Sequence, residues 1–450
     1  MNIVIVGVGK VGKTLALSFI SEGHDVVVID QKRSAVEALV NGYDVKGIVG
    51  VGLERQALSD ASVDVADLFI ACTSRDEMNI LTCVLAKKMG AKRCIARVRE
   101  TEYFKEIETL RQDMGLDLLF NPERRTAFEI ENELKFPSST RLEVFAGGKA
   151  LMVEFEIEKS NPIVGKSLIE INKEYGIEVL FGTVERQDSI KIPNGSFEIN
   201  AGDLVRIIGS EKNITAFCKK TKMFKRRAKS VVIVGGGKIA VNLANELLKS
   251  DISVKIIEID RDKCQKLAEA LPRATIICGD GTDQTLLNEE KIMDADACVT
   301  LTDYDERNIM ISLYAMQKNV SKVITKINRT SVLQMAEFIG LTTVVSPREA
   351  IANQIVAYVR ATMDDKDRGV NNFYKLGEGI EAVEFEVGES FESANVPLKN
   401  LKIKPATLIG GIVREDKFIL PNGDTQIKQG DKVIVVTANG QMKELSEIFR

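Results

Sequence analysis

One short pattern, present twice, constrains this chain more than any other feature. Residues 3–12 read IVIVGVGKVG, and residues 231–240 read VVIVGGGKIA. A run of β-branched residues that ends in a glycine-rich turn and enters an amphipathic helix is the first βα unit of a dinucleotide-binding fold. Two copies make the chain a tandem duplication.

Each glycine has a mechanical reason. Gly7 allows the tight turn out of the strand, Gly9 lets the backbone approach a pyrophosphate, and Gly12 lets the helix pack close to the sheet. Gly235, Gly237 and Ala240 take these roles in the second copy. A lone glycine pattern is weak evidence, but an acidic residue follows at the same distance in both copies, Asp30 and Glu258, each 23 residues past the first glycine. A carboxylate there accepts from ribose hydroxyls and repels a 2′-phosphate, so NAD is favoured over NADP.

From 1 to about 120, strands over 3–6, 25–29, 45–49, 68–72 and 94–98 alternate with helices over 10–22, 33–41, 55–61 and 76–89. The alternation predicts an α/β, Rossmann-like doubly wound parallel sheet with ligand at the carboxyl ends of the strands. Later landmarks match at an offset of 228 to 229: Thr73, Asp76, Glu77 and Asn79 meet Thr302, Asp305, Glu306 and Asn308. Both stretches open a helix, so capping explains them as well as ligand contact does. Their place at the carboxyl edge favours Thr73, Ser74, Thr302 and Asp303 as crevice residues.

The copies also differ. Val51 meets Asp280, in a GDGTD loop, and Arg97 meets Lys326. A cation ending the fifth strand can reach a phosphate; for Lys326 a surface charge is the commoner reading. The two sites are therefore expected to differ in the ligand they read.

Each copy continues into a helix that starts after Asn121-Pro122 or Ser346-Pro347, a helix-start signature. Ala127, Ile130 and Leu134, and Ile351, Ile355 and Val359, form apolar stripes, read here as core against each helix's own domain, with exchange between subunits as the rarer arrangement. Two further matching segments follow, about 140–217 and 370–450. They pair 192–195 (IPNG) with 420–423 (LPNG), read as hairpin turns, and AGDL with QGDK. Small α+β domains result. The expected layout is a first Rossmann-like domain over 1–120, a crossover helix over 121–138, a small domain over 139–218 and a basic linker over 219–229. It repeats as 230–345, 346–366 and 367–450.

Composition removes other classes. The 44% apolar and 28% charged content is that of an ordinary globular protein, and a net charge of −4 gives no general reason to expect nucleic acid. No segment reaches the roughly 18 uninterrupted apolar residues of a membrane span, so service to membrane transport is expected from the cytosol. The seven scattered cysteines read as reduced, buried thiols, and the single histidine, His24, lies in a turn. An NAD-dependent dehydrogenase, the strongest rival, needs an acid or base beside the nicotinamide, which His24 is badly placed to supply. A DNA-binding repressor has only the linker in its favour, with seven basic residues in eleven.

The duplicated order, the GVGKVG turn with Asp30, the TSRDEMN and TDYDERN stretches and the paired PNG turns resemble the TrkA family over essentially the whole chain. This family comprises the cytosolic regulators of Trk potassium-uptake systems, tandems of RCK (KTN) modules. The resemblance implies a non-enzymatic, NAD+ or NADH-binding gating subunit, with ATP or ADP at one site. It implies a homotetrameric ring of eight nucleotide domains, peripheral on the cytoplasmic face of the inner membrane beneath a TrkH- or TrkG-type potassium-translocating subunit, with no nucleic acid partner. Carried over by position, the first site is Gly7, Gly9, Lys10, Val11, Asp30, Thr73, Ser74 and Arg97. The second is Gly235, Gly237, Lys238, Ile239, Glu258, Thr302 and Lys326, with Asp280 and Asp303 beside them; no metal site is implied.

Overall fold

The structure, a computed structural model, describes residues 1–450 except 137, 188, 224–227, 342, 363–369, 378, 390, 440, 441, 443 and 450. Positions 224–227 of the basic stretch and 363–366 of the second crossover segment therefore lie outside the described residues. The chain divides into two compact units, Met1–Ala127 with Ser346–Val356, and Phe128–Val345 with Ala357–Arg450.

The first unit opens on β1 (Asn2–Val6), whose last four residues are all buried. Such a continuous apolar run suits a parallel strand covered by helices on both faces. It continues through α1 (Lys10–Ser21), β2 (Asp25–Asp30), α2 (Arg33–Val40), β3 (Lys46–Val49), α3 (Arg55–Asp60), β4 (Leu68–Ala71) and α4 (Asp76–Met89). Then come β5 (Cys94–Arg97), α5 (Thr101–Leu110), β6 (Leu118–Phe120) and α6 (Pro122–Lys135). All strands are parallel, in the order β3-β2-β1-β4-β5-β6. The order reverses between β1 and β4, and sheets of this kind bind ligands outside the carboxyl ends at such a point. The sequence pattern missed β6, which is too short to show periodicity.

The second unit holds three sheets. One small sheet comprises β7 (Arg141–Phe145), β8 (Ala150–Glu156), β9 (Leu180–Arg186), β10 (Ser189–Lys191) and β11 (Leu204–Gly209), with helices α7 (Leu168–Tyr175) and α8 (Glu211–Lys220). The second parallel sheet follows: β12 (Ser230–Val234), α9 (Lys238–Lys249), β13 (Ser253–Glu258), α10 (Arg261–Ala270), β14 (Thr275–Cys278), α11 (Gln284–Glu289) and β15 (Ala297–Thr300). Then come α12 (Asp305–Gln317), β16 (Lys322–Lys326), α13 (Thr330–Phe338), β17 (Val344–Val345) and α14 (Pro347–Thr362). Its order, β14-β13-β12-β15-β16-β17, repeats the first. The last sheet is antiparallel: β18 (Val370–Gly377), β19 (Ile380–Glu386), β20 (Thr407–Arg414), β21 (Lys417–Ile419) and β22 (Lys432–Thr437).

The two small sheets share one core. Phe145 meets Tyr374 edge to face at 5.1 Å, among Met152, Ile208, Ala382 and Ile434. Tyr374 OH and Asn372 Nδ2 both donate to Val144 O at 3.0 Å, and Ala146 N–H donates to Glu384 Oε2 at 2.6 Å. Small domains bury too little apolar surface alone, and this pairing supplies more.

Two expectations are corrected. The Asn-Gly stretches are not the hairpin turns. The tight hairpins join β9 to β10 and β20 to β21, and in the latter both loop residues, Glu415 and Asp416, have positive φ (48° and 62°), as a type I′ turn requires. Asn194 and Asn422 instead close local turns with their own side chains, accepting from Ser196 N–H at 3.2 Å and Asp424 N–H at 2.9 Å. The GD pairs end in buried carboxylates gripped bidentately: Arg186 on Asp203, and Arg414 on Asp431, each with two 2.7 Å bonds.

The helix stripes are also not each confined to one domain. On α14, all three residues are buried; Ile351 and Ile355 belong to the unit of the first nucleotide domain and Val359 to the other. On α6, Ala127 falls in the first unit, and Ile130 and Leu134 in the second. Near the end of α6, Glu133 Oε2 pairs with buried Lys322 of β16 at 2.9 Å, and its Oε1 accepts from Leu142 N–H of β7 at 2.7 Å. Removing one partner of such a buried pair costs about 3–5 kcal/mol, because the other is left charged and unpaired.

Candidate functional site

At the first turn, Gly7 has φ +95°, its N–H donates to Ile29 O at 2.8 Å, and a Cβ on it would lie 2.8 Å from Thr73 N. A Cβ on Gly12 would lie 1.9 Å from Gly7 O, so helix and turn are packed on backbone. Gly9 is different. It has an ordinary φ of −73°, caps α1 without a side-chain bond, and nothing among the described residues lies within 4 Å of the Cβ position. None of them demands glycine there, so the space in front of the helix N-terminus is open to an anionic ligand. Gly237, with φ −76°, repeats this at α9. Lys10 and Lys238 begin these helices as exposed residues, while Val11 and Ile239 are buried beneath them.

The strand-end carboxylates hold the turns. Asp30 Oδ2 accepts from Val8 N–H at 2.6 Å and Oδ1 from Lys32 N–H at 2.8 Å. Glu258 Oε2 accepts from Gly236 N–H at 2.8 Å and Oε1 from Asp260 N–H at 3.0 Å. Each carboxylate oxygen has a second acceptor direction, which suits a ribose hydroxyl. The longer glutamate is matched by a smaller neighbour. A Cβ on Gly236, where the first copy has Val8, would lie 3.1 Å from Glu258 Oε2 and 2.4 Å from Leu267 Cδ1.

On the other wall, Thr73 donates from N–H (2.8 Å) and Oγ1 (2.7 Å) to Asn79 Oδ1; Asn79 Nδ2 donates to Thr73 O (3.2 Å) and Arg97 O (3.0 Å). Asn308 does the same with Thr302 at 2.9, 2.6 and 3.1 Å and with Lys326 O at 2.9 Å. These buried asparagines pin two strand ends together. The sequence reading aligned them without giving them this task. Ser74 and Asp303 are exposed at the start of the loops.

Of the two strand-five cations, Lys326 is placed differently from expectation. Arg97 is largely buried and meets Glu123 Oε1 of α6 at 3.4 Å, with its Nε buried and without a hydrogen-bond partner. Lys326 is not a surface charge: it is 6% exposed and donates to Leu301 O at 3.1 Å. β16 is covered on both faces, which periodicity at a strand end does not reveal.

The second crevice brings Gly235, Gly237, Glu258, Asp280, Thr302 and Asp303 together, with Lys263, Thr282, Tyr304 and Arg307 completing its rim. Asp280 Oδ1 accepts from Thr282 N–H (2.9 Å) and Oγ1 (2.8 Å). These bonds, with Arg307 adding its charge, hold the Asp280 carboxyl below the usual range. The Arg307 guanidinium lies 5.0 Å from the Tyr304 ring centroid, a cation–π contact. None of these four rim residues was singled out from sequence. Their signal is the absence of equivalents: the matching positions in the first copy are Ser34 or Ala35, Leu53, Arg75 and Met78.

His24 rests beside Phe19, with 5.9 Å between ring centroids, at the far end of α1 from the glycine turn. Among the described residues, no group of three or more His, Cys, Asp or Glu side chains is placed to hold a metal ion, and no helix is long and apolar enough to cross a membrane.

Comparison with known proteins places these features. The TrkA-N domain model matches residues 3–122 and 231–347, and the TrkA-C domain model matches 152–222 and 382–450. The chain is 33% identical over 463 residues to the Trk system potassium uptake protein TrkA homolog 1 of Methanosarcina mazei, covering 100% of both. It is 29% identical over 447 residues to the Trk system potassium uptake protein TrkA of Vibrio alginolyticus, covering 98% of this chain and 96% of that one. Its fold is similar to the GsuK channel bound to NAD, with a TM-score of 0.61 and 17% identity over 99% of this chain and 78% of that one.

Proposed function

The chain belongs to the TrkA family, with two TrkA-N and TrkA-C pairs in tandem, and on that premise we propose that it is a nucleotide-sensing regulatory subunit of a Trk potassium uptake system. It binds NAD+ or NADH, with ATP or ADP at one of its sites, and controls potassium flux through a TrkH- or TrkG-type membrane subunit. We place it as a homotetrameric ring, peripheral on the cytoplasmic membrane face, without enzymatic turnover and without a nucleic acid partner.

The observation that carries this reading is the open space in front of Gly9 and Gly237, each at an uncapped helix N-terminus close to a strand-end carboxylate. A diphosphate fits the free N–H groups, and Asp30 or Glu258 accepts from a ribose. Thr73 and Thr302 form the opposite wall, held by Asn79 and Asn308.

A ligand shifts a two-state assembly only by its difference in affinity for the states. A physical route exists inside the second unit: Lys322 of β16, Glu133 of α6 and Leu142 of β7 are joined by the buried pair and the 2.7 Å backbone bond. Movement of the second nucleotide sheet as a body is passed from the amino end of β16 to the first small sheet through this contact.

Titration calorimetry of the whole chain with NADH tests the binding, and potassium uptake in a strain lacking the gene tests the role. Asp30→Ala is expected to weaken the first site, and deletion to impair uptake on limiting potassium. Undiminished uptake without a paralogue, or turnover of NADH with a hydroxy acid, aldehyde or amino acid, contradicts the proposal.

A further inference from the structure

Two thiols flank Glu258. Cys264, in the second turn of α10, is buried and donates from Sγ to Glu258 O at 3.2 Å. Cys278 ends β14, is the register partner of Glu258, and is the only exposed cysteine of the seven. Both thiols thus lie at the same place, the end of β13: Cys264 on the Glu258 carbonyl and Cys278 on the neighbouring strand opposite Glu258.

We propose that Cys278 is a thiol-modification site for low-molecular-weight disulfides and that Cys264 is its resolving partner, so that oxidation closes a Cys264–Cys278 bond beside the second crevice. Exposure makes Cys278 the group a reagent reaches. Cys264 is buried, so a reagent meets Cys278 first and Cys264 is left to attack the mixed disulfide from the inner side.

The chemistry balances. Cys278, as the thiolate, attacks one sulfur of RSSR, forming a mixed disulfide and releasing one RS⁻, which takes up the proton lost by Cys278. Cys264 then loses its proton and attacks Cys278 Sγ, breaking the mixed disulfide and releasing the second thiol. Two protein thiols are oxidised to one disulfide, and RSSR is reduced to two RSH.

The bond would tie α10 to the residue before Gly279-Asp280, across the carbonyl of Glu258. The carboxylate and the Asp280 loop are thereby drawn together, which changes the second crevice. The first half has Val36 and Val49 at these positions and lacks the device. The consequence for affinity rests on the nucleotide reading above; the thiol chemistry does not.

The test treats the whole protein with oxidised glutathione and maps the peptides by mass. The wild type should lose the mass of two hydrogen atoms and yield a Cys264–Cys278 linked peptide. Cys264→Ser should retain glutathione on Cys278, and Cys278→Ser should stay unmodified. The oxidised wild type should bind NADH about tenfold more weakly at the second site, within the usual range of coupling between sites, with the first site unchanged. Absence of the linked peptide, an adduct on another cysteine, or equal affinity in both redox states overturns the proposal. Failure to bind NADH in either state would sink the nucleotide reading alone, since the peptide map stands without it.

Discussion

At the ends of β1 and β12 the same glycine turn meets different neighbours. In the first half Val8 donates its N–H to a short carboxylate, Asp30, and the loop matching 279–283 carries Val51 and Leu53. In the second, Gly236 makes room for Glu258, and the facing loop offers Asp280 and Thr282, with Arg307 nearby. The backbone bonds are conserved in kind: a strand-end carboxylate holds the turn, and an asparagine pins the opposite wall. The difference teaches that the fold fixes the turn and the opposite wall, while the chemistry of the rim is free to diverge.

The sharpest way to break the comparison is at the third position of the turn. Gly12→Ala puts a methyl 1.9 Å from the Gly7 carbonyl, and backbone cannot step aside as a side chain can. A loss near the upper end of the about 1–3 kcal/mol range for overpacking is expected, with nucleotide binding at the first site abolished. Ala240→Gly in the second half should cost only about 1 kcal/mol, the ordinary helix penalty. Thermal unfolding of both variants checks the contrast; equal losses would show that the two turns are packed alike.

A second test exchanges neighbours. Gly236→Val alone should crowd Glu258 and Leu267, costing about 1–2 kcal/mol. Adding Glu258→Asp, which shortens the carboxylate as in the first half, should recover the part of the loss due to Glu258 and leave the part due to Leu267. Failure of the double variant to recover, by the same melting measurement, would mean that the carboxylate length and the neighbouring residue are not coupled.

How much of this was legible beforehand follows from what periodicity encodes. The glycine turns, both carboxylates and the major strands of the first sheet lie within a residue or two of expectation, because β-branched runs and turn glycines are local signals. β17, of two residues, carries no period at all. A stripe such as Ile351, Ile355 and Val359 says that a face is buried but not by what, so its division between units was invisible. The same limit hid Lys326, whose burial depends on neighbours distant in sequence. Asn79 and Asn308 looked like ordinary helix residues, since their task is a hydrogen-bond pattern between strands.

A smaller effect is expected at the rim. Arg307→Met gives the second crevice the first half's residue and removes an exposed cation, so affinity for a polyphosphate nucleotide should fall by a few-fold, about 1 kcal/mol or less. Calorimetry with ATP reads it; an unchanged affinity would remove Arg307 from the site.

A last contrast is a dependence on pH. Glu143 of β7 is buried among Arg141, Glu129 and Glu133, and its carboxyl is pushed up to about 7, chiefly by burial. Its strand partner is Met152, whose counterpart in the last sheet, Ala382, pairs with Tyr374, so only the first small sheet has a carboxyl at this place. A raised carboxyl favours the protonated folded state. Stability should therefore be greatest below the ordinary value of 4.5, fall as pH rises through 7 by at most about 1.4 kcal/mol per unit, and then level off. Glu143→Gln should flatten that slope, as read from denaturant midpoints across the range.

Two unlike nucleotide sites in one chain are the central prediction. Calorimetric titration of the wild type, Asp30→Ala and Glu258→Ala with NADH is the direct measurement. Two separable classes of site are predicted, with the first lost in Asp30→Ala and the second in Glu258→Ala. A single class of equal sites, or binding untouched by both substitutions, would contradict it.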